Sequence, residues 1–529
     1  MELIIDALRI PVEEDRPDEY LKAASQKLNI SPDKIKLFKI LNKSLDAGNK
    51  EQFYYLVSAV VSTPDGFDNS EDFPLYTEPI KAAREAKRTA ERPVIIGFGP
   101  AGMFAALELI EYGLKPLIFE RGKKIEERSI DVRRFIKERT LDPESNIQFG
   151  EGGAGSYSDG KLFARIRNSA YADKVLDTFI KFGAPEEIGY ISKPHLGTDV
   201  LCKIVRNIRG HILERGGEIH YGSKMTDILI SDNKVSGVVI NGEKEYRSSI
   251  VYLAPGHSAR DTFGMIYKKG VFLEQKPVSV GVRIEHPAEI INLMRYGEKY
   301  KDFPGIGAAG YSLNYTDRKI RRGVYTFCMC PGGEVINASS ENGLLVVNGM
   351  SYSKRASAFS NSALVVTCHT DDYKSTSPLA GLEFQRHIER RAFEAAGGGW
   401  EVPAQNLVDF LSGRTSVHLN KNSYAMGAAA VDMKELFPDF VGKTLLAAFN
   451  NWEGDYPLFV SEHAILLGAE TRTSSPVRIK RNEKYESVNI ENLYPIGEGS
   501  GYTGGITSSA ADAIRAVEAS MSKHLNRQK

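Results

Sequence analysis

The sequence predicts an α/β protein: a doubly wound, Rossmann-like domain split by an α+β insert and preceded by a small α+β domain. Three observations predict it. Residues 94–120, VIIGFGPAGMFAALELIEYGLKPLIFE, read as a buried strand, a glycine turn, an apolar helix, a second strand and a terminal acid. Residues 493–520, LYPIGEGSGYTGGITSSAADAIRAVEAS, read as another strand, glycine turn and helix. Between them, from about 272 to 475, strand-like runs alternate with turns. The expected boundaries are 1–88 for the small domain, 89–271 with 476–529 for the doubly wound domain, and 272–475 for the insert.

Composition narrows the function classes. In 529 residues Lys+Arg and Asp+Glu both total 68, so no global basic field invites nucleic acid. Four scattered cysteines do not make a disulfide framework and point to a reducing compartment. The first residues, MELIIDALRIPVEED, carry acids where a signal peptide needs positive charge. The longest apolar run is interrupted by Pro100 and Glu108, so no membrane span is expected. The expectation is a cytoplasmic protein acting on a small molecule.

Taken in order, the chain opens with a strand over 3–10, a helix over 17–28, a strand over 34–42 with Ile35, Leu37 and Lys39 on one face, and a strand over 53–62. This β-α-β-β unit carries no catalytic cluster. The stretch 81–92, KAAREAKRTAER, reads as a charged linker helix with five bases. In the fingerprint that follows, Gly97 permits a tight turn, Gly99 lets backbone approach a pyrophosphate, and Gly102 lets the helix pack on the strand. Phosphates are expected at the helix N-terminus around Pro100 and Ala101. Glu120, eighteen residues beyond Gly102, is placed to accept ribose hydroxyls, with Arg121 beside it.

The segment 149–162, FGEGGAGSYSDGKL, holds five glycines and suits backbone lying flat on a ligand. Gly155 would allow that approach, Ser156 and Ser158 could bond polar groups, and Lys161 could offset a phosphate. Helices are expected over 173–182 and 197–215, then further strands ending at Ala254-Pro255-Gly256. Gly99, Glu120, Met225, Ala254 and Gly256 should converge at the carboxyl ends of the strands. Within the insert, a helix over 379–396 closes on Gly397-Gly398-Gly399, read as a C-terminal cap. Near the C-terminus Gly497-Glu498-Gly499 turns the chain, and a helix opening on Gly504-Gly505 and Ile506 can bring its positive end against a flat electron-poor ring. Glu498 could bond a ribityl chain. One fingerprint in a long chain, with this glycine-opened helix, favours FAD over NAD.

The combination GFGPAG, FGEGGAGSYSDGKL, KPHLGTDVL, APGHSARDTF, TFCMCPGGEV, VNGMS, SSPVRI and IGEGSGYTGGI resembles the bacterial family of uncharacterised FAD-dependent dehydrogenases, densely from about residue 92 onward. The N-terminal unit resembles that family's leading domain, with Gly48 where an arginine is expected. More distantly the chain is similar to fumarate-reductase-like and geranylgeranyl-reductase-like flavoproteins. The resemblance implies FAD, a flavoprotein sheet split by a substrate domain, and oxidoreductase chemistry by hydride transfer at flavin N5. NADH or NADPH is a candidate transient electron donor, although no second dinucleotide motif accompanies the first.

Candidate catalytic groups are few. Cys328 and Cys330 alternate along an expected strand and should share a face, which suits a redox dithiol. Two thiols cannot complete a zinc site, and no metal site is expected. His195 and His257 lie in loops beside Gly or Pro, where an imidazole can act as acid or base. Arg355, with Asn348, could face an anionic or carbonyl substrate. Two other readings compete with an oxidoreductase: a flavin- or nucleotide-binding regulator that performs no turnover, and an RNA-acting flavoenzyme using the 81–92 helix.

Overall fold

The structure is a computed structural model and describes residues 1–78, 92–162 and 169–526. The expected 81–92 helix falls outside them, apart from Arg92.

A five-stranded parallel sheet carries the doubly wound part. Its order is Leu493–Pro495, Val251–Leu253, Val94–Ile96, Leu117–Phe119 and Glu218–His220, so Val94–Ile96 is central and the C-terminal strand Leu493–Pro495 forms one edge. Val94–Ile96, Val251–Leu253 and Leu493–Pro495 are buried throughout, as strands covered on both faces must be. The helices Pro100–Glu111, Thr198–Glu214 and Ile506–Asn526 share one apolar cluster against this sheet. Pro100–Glu111 is apolar almost all round and correspondingly sunk into the core. Its one acid facing inward, Glu108, is compensated by Lys174 Nζ at 2.6 Å.

A mixed seven-stranded sheet holds the middle of the chain, ordered Asn314–Asp317, Arg322–Cys330, Phe359–Cys368, Val278–Pro287, Ile465–Glu470, Val402–Asn406, Ala428–Ala430. Val278–Pro287 is its central strand and buries nine consecutive residues, including Arg283, Glu285 and His286. The chain passes into and out of this sheet along Leu273–Gln275 and Val477–Ile479, which pair antiparallel with each other. The helix Ala380–Ala395 ends as expected: Gly397 has φ 88°, and Gly398 N–H returns to the Phe393 carbonyl at 3.0 Å.

The N-terminal unit is a three-stranded antiparallel sheet, Glu2–Pro11, Tyr54–Ser62 and Lys36–Asp46 in spatial order, covered by the helix Pro17–Leu28. Here one expectation is corrected. The register shifts between Leu37 and Lys39, so the bulge breaks the alternation and leaves Lys39 exposed while Ile35 is buried. A second correction concerns the last helix, which begins at Ile506 and not at Gly504. Gly505, at φ 97°, lies just ahead of it and its carbonyl accepts the Ser509 N–H at 3.1 Å.

Candidate functional site

Three glycine turns meet at the carboxyl ends of the central strands. Gly97, at φ 94°, lies so close to the Ala254 carbonyl that an added β-carbon would stand 2.2 Å from its oxygen. One on Gly102 would stand 2.0 Å from the Gly97 oxygen, which is the close helix–strand approach expected of it. One on Gly499 would stand 2.7 Å from the Gly256 oxygen, and one on Gly497 2.6 Å from the Ala101 β-carbon. Gly256 and Gly505 differ: each has positive φ, and a β-carbon there would meet nothing within 4 Å. The packed glycines thus bring the turns together, and the unpacked ones border open space.

The helix Pro100–Glu111 points its N-terminus into this crevice with no side-chain cap at Gly99 and no acid in its first turn. Its free N–H groups and dipole therefore present a positive end to the site. Across from it runs the 149–162 loop, with Gly153 at φ 62° and its Cα close to Gly99. Gly155 faces Ile506 and Pro100.

One residue that sequence reasoning missed shapes this loop. Arg128, wholly buried, donates from Nε to the Asn146 carbonyl at 2.7 Å, from Nη2 to Ile147 at 2.8 Å, and from Nη1 to Glu151 at 2.7 Å and Gly153 at 3.0 Å. A side chain that holds several main-chain carbonyls fixes a glycine-rich segment otherwise costly to order. Burial lowers the pKa of this guanidinium, and the nearest opposing influences are Tyr157 and Glu120. Nothing in the sequence marked it beyond its place in a charged helix.

Glu120, 5% exposed, accepts N–H bonds from Phe98 at 2.8 Å and from Gly122 and Gly150 at 2.9 Å. Its carboxylate joins the fingerprint turn to the glycine loop, a task the sequence reading had not given it. Arg121, expected at the cofactor, instead forms a two-pronged pair with Asp261 at 2.9 and 2.8 Å and bonds Glu144 at 2.7 Å. Met225 starts an antiparallel strand beyond the parallel sheet, and its side chain lies in an apolar cluster.

Two buried polar atoms on the site have no partner. They are Ser156 Oγ and His257 Nε2, while His257 Nδ1 lies 3.6 Å from Glu498 Oε2. An unbonded buried polar atom is costly, and a ligand group with hydrogen-bonding capacity would remove that cost. The open space beyond Gly256 and Gly505, the uncapped helix end and these two atoms are what a dinucleotide requires, so the residues present fit one.

A second cluster joins the other candidates. Buried Asp159 accepts from Lys161 Nζ at 2.6 Å, Ser351 Oγ at 2.5 Å and Arg355 Nη2 at 2.5 Å. Lys161 and Arg355, read as phosphate and substrate contacts, are therefore turned toward a protein carboxylate; a charge buried here must be paired. Ser158 Oγ bonds within its own turn, to the Gly155 carbonyl at 2.8 Å. Lys161 Nζ also bonds the Met329 carbonyl, between the two cysteines. His195 Nε2 lies 3.3 Å from the Ser353 carbonyl, and burial lowers its pKa, as does Arg355. Asn348 faces Arg283 at 3.1 Å. A cleft of about 330 Å³, bordered by Asp199, Glu334, Ser351 and Tyr352, opens beside this cluster.

The cysteines do not alternate on a flat strand as expected. The pairing with Phe359–Cys368 slips between Phe327 and Cys330, and Cys328 adopts φ 46°. Among the described residues no group of three or more His, Cys, Asp or Glu could hold a metal ion, and no helix is long and apolar enough to cross a membrane.

Fold and site define an α/β protein with a parallel sheet whose glycine turns enclose an uncapped helix end. Residues 277–473 match the family model described as FAD-dependent protein, C-terminal domain-like, and residues 3–62 match a domain of unknown function. The chain is 44% identical over 506 residues to an uncharacterized protein of Clostridium beijerinckii, covering 94% of each. It thus belongs to an uncharacterised family of FAD-dependent proteins. It is also 28% identical over 233 residues to a thiamine thiazole synthase of Pyrococcus horikoshii, covering 42% of this chain and 76% of that one. Among solved structures, the flavin-dependent brominase Bmp2 aligns at 13% identity and TM-score 0.38 over 83% of this chain and 80% of its own. An E. coli quinol fumarate reductase aligns at 12% identity and TM-score 0.34 over 83% and 70%.

Proposed function

We propose that this chain is an FAD-dependent oxidoreductase acting on a small molecule. The observation that carries the reading is the crevice where an uncapped helix N-terminus, the open space over Gly256 and Gly505, and the unpartnered Ser156 Oγ and His257 Nε2 border one another. Gly99, Pro100 and Ala101 would hold the pyrophosphate. Glu120 spends three of its roughly four acceptor positions on N–H groups, leaving one for a ribose hydroxyl. Gly256, Glu498, Gly499, Gly505 and Ile506 would line the ribityl chain and ring. Bound flavin supplies hydride transfer through N5, with NADH or NADPH as candidate donor.

The chain's own part is positional and electrostatic. The Gly505–Ile506 helix start offers positive potential, and His257 stands at the crevice with Nδ1 3.6 Å from Glu498 Oε2.

The test begins with the purified protein: heat-released cofactor should co-migrate with FAD, and the holoprotein should bleach with NADH or NADPH under anaerobic conditions. A chain that carries no flavin and binds none added is not this enzyme. Bound FAD that neither nucleotide nor dithionite reduces would favour the regulator.

A further inference from the structure

Cys328 and Cys330 stand in surroundings that the flavin reading does not use. Cys330 is fully buried, and Cys328 is partly exposed on a strand edge. The bulge and the left-handed backbone at Cys328 draw the two residues together: Cys330 Sγ donates to the Cys328 carbonyl at 3.2 Å. Cations surround the pair. Arg283, with no solvent exposure, donates from Nη2 to the Cys328 carbonyl at 2.8 Å and approaches Cys330 Sγ at 3.8 Å. Lys161 Nζ bonds the intervening Met329 carbonyl. Gly349 closes the far side, where an added β-carbon would stand 2.7 Å from Cys330 Sγ. The acids Asp159 and Glu470 are engaged by Lys161 and Arg283, and Arg355 also bonds Asp159, so three cations meet two carboxylates beside the sulfurs.

We propose that Cys328 and Cys330 are a reversible dithiol–disulfide pair that exchanges with a small-molecule disulfide, Cys328 attacking and Cys330 resolving. The Cys328 sulfur, as thiolate, attacks one sulfur of the small disulfide. That S–S bond breaks, and the released thiolate takes up a proton. Cys330 then loses its proton and attacks the Cys328 sulfur, which forms the internal bond and expels the second thiol. The two cysteines lose two electrons, and the small disulfide becomes two thiols. A positive neighbourhood and partial exposure are what such an attacking thiol needs, and Cys328 is the thiol held below the ordinary thiol range by its neighbour Cys330 and by Lys161 and Arg283. This exchange happens at sulfur and stands whether or not flavin binds.

Full-length protein equilibrated across oxidised and reduced glutathione, then denatured, alkylated and digested with trypsin, provides the test. One peptide, 323–354, contains both cysteines and neither Cys202 nor Cys368. Under oxidising conditions it should become two hydrogens lighter and unalkylated, and dithiothreitol should restore both alkylation sites. In Cys330→Ser, glutathione should accumulate on Cys328. Two alkyl groups on the wild-type peptide at every glutathione ratio would overturn the pair. Glutathione on Cys330 in Cys328→Ser, with none on Cys328 in Cys330→Ser, would overturn the assigned order of attack.

Discussion

Gly497 rests on Ala101 so closely that a β-carbon on the glycine would stand 2.6 Å from that of the alanine. Two turns separated by most of the chain are thus one piece of structure, fixed further by Gly497 N–H bonding Asp512 Oδ2 at 2.9 Å. Gly497→Ala adds a methyl where φ is 69° and where there is no room. Strain and overpacking together should cost about 2–4 kcal/mol. The displaced Ala101 turn should also lower FAD occupancy. Urea unfolding and the flavin-to-protein ratio measure the two effects, and unchanged values in both would show that the contact constrains neither.

Arg128 offers a different lever, since its hydrogen bonds go to main-chain carbonyls of the glycine loop and its neighbours. Arg128→Met keeps much of the volume and leaves those carbonyls buried without donors. A loss of about 3–5 kcal/mol is expected, and new protease cleavage within 146–153. Arg128→Lys should recover only part of it, because one ammonium cannot reach carbonyls on several sides. A lysine variant as stable as wild type would mean that charge alone, without the planar fork, orders the loop.

What the sequence made legible follows from this contrast. Glycine turns, buried parallel strands and the cap at Gly397 are local: each depends on residues within a few positions, and each stands where expected or within two residues of it. The partners of charged side chains are not local. Arg355 finds Asp159 across 196 positions, and Arg121 finds Asp261 across 140. Reading those residues as ligand contacts followed from their charge, whereas the fold sets that charge against protein carboxylates, the buried Asp159 and the exposed Asp261. Cys328 marks a third case, because a β-bulge has no reliable pattern in the chain and defeats any argument from alternation.

Glu285 should make stability fall as pH rises. Burial raises its pKa to about 7, offset in part by bonds from Ser423, whose N–H lies at 2.8 Å. Between the ordinary carboxyl value of 4.5 and about 7 the folded state holds a proton that the unfolded chain has released, so the free energy of unfolding declines across that window. The shift corresponds to about 3 kcal/mol at most. Glu285→Gln cannot ionise, and its amide can still accept from Ser423 N–H. The variant should therefore be about 1–2 kcal/mol more stable than wild type at pH 8, relative to pH 5. Equal pH slopes in guanidinium titrations of the two proteins would remove Glu285 from the account.

Glu389 is predicted to behave in the opposite sense. This fully buried carboxylate of the Ala380–Ala395 helix lies between Arg260, at 2.7 and 2.9 Å, and Arg472, at 3.0 and 2.9 Å. Arg260 opens the helix Arg260–Lys268 that follows the parallel sheet, and Arg472 follows the Ile465–Glu470 strand, so one carboxylate ties the two sheets' surroundings together. Burial alone would raise its pKa, but Arg260 and Arg472 outweigh burial and hold it far below the usual carboxylate range. A depressed pKa gives stability that is present above the unfolded value and lost as pH falls toward the folded one. Glu389→Gln leaves two buried guanidinium groups facing a neutral amide and should cost about 3–5 kcal/mol at pH 7. The penalty should shrink below pH 4.5, the ordinary carboxyl value, as wild-type Glu389 begins to take up protons in its unfolded form. Denaturant unfolding at pH 7 and pH 4 compares the two. A penalty that is the same at both would mean that hydrogen-bond geometry, and not the charge of Glu389, holds the arginines in place.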